Sequence, residues 1–238
     1  MSATAGWLLA LDTATTSVVV VAGTPDGQVL ASDTIAGRYR HSQELLPAIA
    51  RLVQGAGLRL ADLEGIVVGT GPGAFTGLRV GLAIAKTLAH ELDRPVVGIA
   101  TSDALLAAVD ALGSDAPVTL WLPSGPRDRV AVTAGRPPEV VPGGEGSGSE
   151  DGQASPPGGN AGSDVAVDLE GRASEAALAR GRTAVERLPA TLLGLGAARL
   201  AAGERDDPER LVPRYASQPR GAPGPEPEGG VAWSRDPR

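Results

Sequence analysis

The stretch GIVVGTGPGAFTGLRVGLAIAKTLAHEL, residues 65–92, restricts the fold more than any other part of the chain. Residues 65–70 read as a short apolar strand of the kind covered on both faces. A Gly–Pro–Gly turn follows, and then a helix from about 76 to 92. On that helix Gly77, Gly81, Ala85 and Ala89 recur every four residues and form a stripe without bulk. Leu78, Val80, Leu82, Ile84, Leu88 and Leu92 make most of the remaining surface apolar, and Arg79, Lys86 and His90 leave only a narrow polar strip. A helix apolar nearly all round must be covered on nearly all sides. One side can rest on its own sheet. The small stripe predicts a second helix on the other, with backbones in close contact. Each interior glycine costs about 1 kcal/mol against alanine, so two in one helix point to close packing.

The turn aims this helix. Pro72 fixes φ, Gly73 supplies an angle that other residues resist, Gly71 precedes them, and Thr70 or Thr76 can cap. A helix N-terminus also attracts anions, but the nucleotide motifs fail on spacing. No G-x-x-x-x-G-K-[ST] string occurs, and Gly71, Gly73 and Gly77 do not match G-x-G-x-x-G. Helix packing is the preferred reading, and a bulky Gly81→Leu or Ala85→Trp change is expected to block a partner while the isolated fold survives.

Around this unit the chain alternates in period. Residues 7–11, 17–24 and 28–35 read as three antiparallel strands. Residues 41–53 show helical spacing through Leu45, Ile49 and Val53, with Pro47 inside the pattern. Residues 95–100 form a strand, and the TSDALLAAVDAL segment a helix opened by a Thr or Ser cap. The order βββαβαβα implies a mixed sheet carrying helices. A second, smaller unit begins near residue 117, with strands in VTLWLP, DRVAVTAG and DVAVDL and one or two helices over 173–203. The Gly, Ser and Pro-rich residues 142–163 read as a disordered insert, and the tail 217–238 as loose. The expected division is 1–112, 113–216 and a flexible 217–238.

Composition narrows the function. The net charge of −7 argues against unaided binding to nucleic acid, so any RNA would be met through a partner. With no cysteine there is no disulfide, thiolate metal site or cysteine nucleophile. No apolar run reaches the roughly 20 residues of a membrane span, and MSATAGWLLALD reads as a first strand rather than a secretory leader. A cytoplasmic protein is expected. His41 has Glu44 nearby but Leu45 at the next helical position, and His90 is the one other histidine, so no metal site assembles. No G-x-S-x-G elbow or triad material is present.

The opening LALDTATTSVVVV, a strand ending in Asp12 and a small turn, resembles the start of the actin, Hsp70 and sugar-kinase superfamily, where the Asp orients a metal-bound water and the turn faces phosphates. That turn usually carries Gly where this chain has Ala14. Asp12, Thr13 and Thr15 therefore read either as a phosphate-loop remnant or as a polar hairpin turn. A small ATP-dependent kinase or ATPase of this fold would need a second phosphate loop, for which LLGLGAARL at 192–200 is the candidate. A peptidase is the least supported class.

DTAT at 12–15, HSQELLP at 41–47, GTGPGAFTGLRVG at 69–81 and PVVGIATSDALL at 95–106 together resemble the bacterial TsaB (YeaZ) family, over roughly residues 7–110. The resemblance implies an α/β, actin-like (ribonuclease H-like) fold with a complete first lobe and a reduced second one. It implies a non-catalytic scaffold in the machinery that makes N6-threonylcarbamoyladenosine at position 37 of tRNA. The catalytic relative TsaD has two metal-binding histidines four apart, where this chain has His41 and Leu45. The implied partner surface takes in His41, Leu45, Ile49, Gly77, Gly81, Ala85, Lys86 and Ala89, facing TsaD or a second copy of the chain. TsaE would join the complex, tRNA would be met through the complex alone, and ATP or ADP and metal would reside on partner subunits, with no cofactor on this chain. The second half departs from the family: WLPSGPRDRVAVT stands for a more acidic and aromatic strand, and LVPRYAS and VAW only echo its closing segments.

Overall fold

The computed structural model describes residues 6–37, 41–110, 117–123, 128–141, 164–169 and 171–216. The expected insert at 142–163 and tail at 217–238, including the VAW stretch, lie outside the described residues. The first half contains β1 (Trp7–Asp12), β2 (Ser17–Gly23), β3 (Val29–Ala36), α1 (His41–Gly55), β4 (Leu63–Gly69), α2 (Phe75–Leu92), β5 (Val96–Ile99) and α3 (Thr101–Asp110). Their sheet runs β3-β2-β1-β4-β5, with β1–β2 and β2–β3 antiparallel and β1–β4 and β4–β5 parallel. The three-strand meander and the mixed sheet follow from the hydrophobic runs as expected.

The second half contains β6 (Thr119–Pro123), β7 (Arg129–Thr133), β8 (Glu139–Val141), β9 (Asp164–Ala166) and α4 (Glu175–Ala201). Its sheet runs β8-β7-β6-β9, again a meander with one parallel strand added beside its first member. The second sheet thus repeats the strand order and directions of β3-β2-β1-β4. The short β8 was not anticipated; the Arg136–Pro137–Pro138 run masks it, since proline reads as a strand breaker.

Alternation along β1 divides the core. Trp7, Leu9 and Leu11 face α1 and α2, packing with Leu45, Ala48, Ile49, Leu52, Leu82, Ala85 and Ala89. Leu8 and Ala10 face the opposite side, with Val67, Leu105, Leu188, Leu192 and Leu193. Helix α4 is a single 27-residue helix that touches β9 as well as β1, β2, β4 and β5. It carries Pro189 within its length and is capped by the Ser174 side chain, which accepts from Ala177 N–H. Gly181 lets it pass directly over the Ala166 carbonyl, and Gly196 lets it press on Val67.

Candidate functional site

Three connections meet at the C-terminal ends of β1, β4 and β5, the place where open α/β sheets bind ligands. They are the β1–β2 turn (Thr13–Thr16), the Thr70–Ala74 loop and the junction of β5 with α3. Asp12 is fully buried there. Its Oδ1 accepts from Ala14 N–H at 2.8 Å, and its Oδ2 accepts from the Thr101 hydroxyl at 2.5 Å. The same Thr101 oxygen accepts from Gly71 N–H at 3.1 Å, while Thr101 N–H donates to the Gly71 carbonyl at 2.8 Å. Thr13 donates its hydroxyl to the Gly77 carbonyl at 2.7 Å, and Thr15 Oγ1 accepts from Ser17 N–H. Asp12, Thr13 and Thr15 are all buried, at 0, 1 and 2% exposure. The arrangement is a polar lock joining three connections, so these residues are not presented to a phosphate. Sequence reading passed over Thr101 as a helix cap; a threonine right after a strand, facing an aspartate that ends a parallel neighbour, was the available signal.

The Gly–Pro–Gly turn does aim α2, by a different route from the one expected. Gly71 takes φ of +96° and the Gly71–Pro72 peptide is cis. Gly73 has no positive φ; its lack of a side chain makes room for the Ala14 carbonyl, which also accepts from Ala74 N–H at 2.7 Å. The helix starts at Ala74 without a side-chain cap, and Thr76 lies inside its first turn, exposed. Thr70 instead donates to the Ile99 carbonyl.

The small-residue stripe is the main correction. Gly77, Gly81, Ala85 and Ala89 are buried within the chain, against its own first sheet. A Cβ on Gly81 would run into Thr13 Oγ1, so the stripe seats α2 on β1 and its turn. Leu45 and Ile49 are likewise buried at 0 and 5% exposure. None of these six residues is available to a partner. Gly81→Leu and Ala85→Trp would therefore damage the fold itself. Lys86 is half-buried, and the His41 side chain lies outside the described residues.

The outward side of the same helix layer has a different membership. Leu46 is 52% exposed; Pro47 and Ala50 on α1 and Thr76, Ala83 and Thr87 on α2 are exposed as well, with Val80 and Ile84 half-buried. None of these residues carries a charge, while Arg51, Arg79, His90 and Glu91 are also exposed on the two helices.

A second structured surface follows α4. Arg199 and Asp206 clamp the free edge of β5: Gly98 N–H donates to Asp206 Oδ2 at 2.7 Å, Arg199 donates to the Gly98 carbonyl at 2.7 Å, and Asp206 N–H donates to the Val96 carbonyl at 2.9 Å. Burial alone would raise the Asp206 pKa, but hydrogen bonds from Arg199 and Gly98 and the charges of Arg199 and Arg214 outweigh it and hold the carboxyl below its ordinary value. The segment continues to Arg214, whose N–H donates to the Thr70 carbonyl at 2.8 Å, and to Tyr215, which stacks on Phe75 at 4.8 Å and accepts from Arg79 Nε at 3.0 Å. An open pocket of about 700 Å³ lies along this segment, lined among others by Thr70, Asp103, Arg205, Asp206 and Arg214.

Among the described residues, no group of three or more His, Asp or Glu side chains is placed to hold a metal ion, and no helix is long and apolar enough to cross a membrane. The candidate second phosphate loop at 192–200 is continuous α-helix within α4. The sequence profile of the tRNA N6-adenosine threonylcarbamoyltransferase (TsaD) family matches residues 30–141. An uncharacterized protein of Mycobacterium bovis is 39% identical over 99 residues, 41% of this chain and 47% of that protein. The tRNA threonylcarbamoyladenosine biosynthesis protein TsaB of Escherichia coli is 37% identical over 94 residues, 40% of each chain. The chain thus spans under half the length of the curated relatives it matches. Among solved structures, YeaZ from Pseudomonas aeruginosa superimposes with a TM-score of 0.64 at 25% identity, covering 88% of this chain and 99% of that one.

Proposed function

We propose that this chain, a homologue of the TsaB/YeaZ proteins, serves as a non-catalytic scaffold in the complex that forms N6-threonylcarbamoyladenosine in tRNA. It presents the α1–α2 layer to the TsaD transferase. The observation that carries this reading is the outward side of that layer, where Leu46, Pro47, Ala50 and Ala83 stay exposed on helices whose opposite sides are fully packed. Weakly charged apolar surface of this kind gains free energy when a second helix pair covers it.

The non-catalytic part of the reading is supported by how the polar residues are used. Asp12 and Thr13, the residues that a phosphate-handling enzyme of this fold would present, are committed to Thr101, Ala14 and Gly77. Leu45, at a position where the catalytic relative is expected to hold a metal ligand, packs in the core. ATP or ADP and metal then belong to the partner subunits, TsaE joins the assembly, and tRNA is met through the complex. The same helix layer is the surface through which two copies of this chain would associate. The first sheet with its three helices acts as the complete lobe and the second as the reduced one.

The test is co-purification with TsaD from the same cell. Leu46→Glu combined with Ala83→Arg places charges on exposed positions only, so the variant keeps its fold and loses the complex. Retention of the complex by the folded double variant would sink the proposal.

A further inference from the structure

The open pocket along the segment after α4 does not end at Arg214. A second one, of about 330 Å³, continues past it to the β7–β8 turn, and the two share Ala100, Asp103 and Arg214. Together they form one groove beside the first turn of α3. Arg205 lines one part, Arg136 the other, and Arg214 both. None of the lining residues belongs to α1 or α2.

Among the described residues, the arginines whose side chains hold no hydrogen bond, ion pair or ring contact are Arg136, Arg205 and Arg214. All three line this groove. Arg214 helps to lower the Asp206 pKa by its charge without bonding to it. The chain carries 28 acidic residues against 21 Lys and Arg, so carboxylates to neutralise these cations are not scarce. The acids in the groove are mostly engaged elsewhere. Asp206 is held by Arg199 at 3.1 Å and Asp207 by Arg210 at 3.5 Å. Asp103, which accepts from the Ser102 hydroxyl at 3.4 Å, is the lining carboxylate without a cation. Unbound guanidiniums therefore outnumber unbound carboxylates, and a concave surface of one sign concentrates its field on an incoming ligand.

The walls beside these cations are apolar. Leu195, Val212 and Tyr215 are large apolar side chains left exposed, and all three line the groove. Main-chain pairing with β5 is closed off there, because Asp206 and Arg199 take the Gly98 N–H and carbonyl. Recognition must go through side chains, with carboxylates for the guanidiniums and apolar groups for the walls.

We propose that this groove binds an acidic segment of a partner protein in which carboxylates alternate with apolar side chains. Nucleic acid is the poorer fit. Phosphate backbones bind where many uncompensated cations act together, whereas this chain has a net charge of −7 and places Asp103 in the groove. The surface is separate from the α1–α2 layer, so the proposal does not depend on that layer meeting TsaD.

Fluorescence anisotropy of the full chain with a fluorescein-labelled octapeptide alternating glutamate and leucine tests it. Saturable binding is expected, with a Kd of about 100 μM or tighter. Arg136→Gln, Arg205→Gln and Arg214→Gln remove charge at exposed positions. Each should weaken binding about two- to fivefold, and the triple variant at least about tenfold. Arg182→Gln, an exposed arginine of α4 outside the groove, should leave the affinity unchanged. The same peptide with glutamine for glutamate should not bind. In the native chain, NMR should show the peptide shifting the amides of Ala100 and Gly135, which line the groove, and not that of Ala83 on α2. No saturable binding by the native chain up to about 1 mM overturns the proposal, as do amide shifts confined to other surfaces. Undiminished binding by the triple variant, an equal loss in Arg182→Gln, or equal binding of the glutamine peptide does the same. Tighter binding of an oligouridylate of the same length would make the groove an RNA site instead. A native chain that dimerises in sedimentation, with a monomeric triple variant, would make the occupant a second copy and equally overturn it.

Discussion

The Thr101 hydroxyl bridges Asp12 and Gly71, donating to one at 2.5 Å and accepting from the other at 3.1 Å. Through this one oxygen the end of β1, the start of α3 and the loop leading into α2 are fixed together. Thr101→Val keeps the shape, removes the donor from a fully buried carboxylate and leaves Gly71 N–H without its acceptor. The expected loss is about 2–4 kcal/mol, combining a charged hydrogen bond with a neutral one, read by urea denaturation. Thr101→Ser should recover most of it. A loss below about 0.5 kcal/mol would show that the bridge is dispensable.

The seating of α2 leads to a contrast between two neighbouring positions. Gly81→Ala pushes a methyl group into Thr13 Oγ1 and disturbs its bond to the Gly77 carbonyl. A destabilisation of about 1–3 kcal/mol follows from overpacking, even though alanine is the better helix former. Ala83→Arg, on the exposed side of the same helix, should change stability by less than about 0.5 kcal/mol. Thermal melts of the two variants check the order, and a reversed order would mean that α2 is turned the other way.

Asp206 gives a pH dependence. Its folded-state carboxyl titrates below the ordinary value of 3.8, because Arg199, Gly98 and Arg214 favour the charged form more than burial disfavours it. The unfolded chain therefore takes up the proton first as pH falls. The stabilisation is complete above 3.8 and is lost as pH drops through the lower folded value. Asp206→Asn should flatten this acid limb while leaving its other carboxylate-driven slope intact. Urea midpoints between about pH 6 and pH 3 provide the measurement, and an unchanged acid limb in the variant would refute the assignment.

Tyr215 closes the strap onto the first turn of α2 through Phe75 and Arg79. The side chain is 37% exposed, so Tyr215→Ala should cost no more than about 1 kcal/mol globally. Its local effect should be larger. Hydrogen exchange of Arg214 and Leu211 amides should quicken, since both pair within or beside the strap, while exchange of the β1 amides stays unchanged. Uniform quickening across the chain would show a global effect and no separate strap.

Much of the fold was legible because period and punctuation agree in the first half. The runs WLLALD, SVVVVAG and LEGIVVG alternate with clear turn signals, and α1 and α2 carry helical spacing within a residue or two of their observed ends. Periodicity says which residues share a side of a helix but not what covers that side. The stripe from Gly77 to Ala89 is legible as a small face, but its cover is not: Gly81 sits against Thr13, distant in sequence and lacking any bulk that would announce it, and Ala85 and Ala89 pack into the core of the chain's own first sheet. Asp168 and Asp206 could not be found in advance for a related reason. Neither belongs to a recognisable motif, and only the tertiary path brings one to Thr16 and the other to Gly98. His41, central to the reading of a lost metal pair, lies where its side chain is not among those described.

Helix α4 binds both sheets with one uninterrupted run of 27 residues. Proteins built as two jaws work by swinging about flexible crossings, and a continuous rod shared by both halves removes that freedom. Here α4 is packed on both sheets, and Pro189, which lacks an amide to donate to Val185, is the point along it where any bending would concentrate.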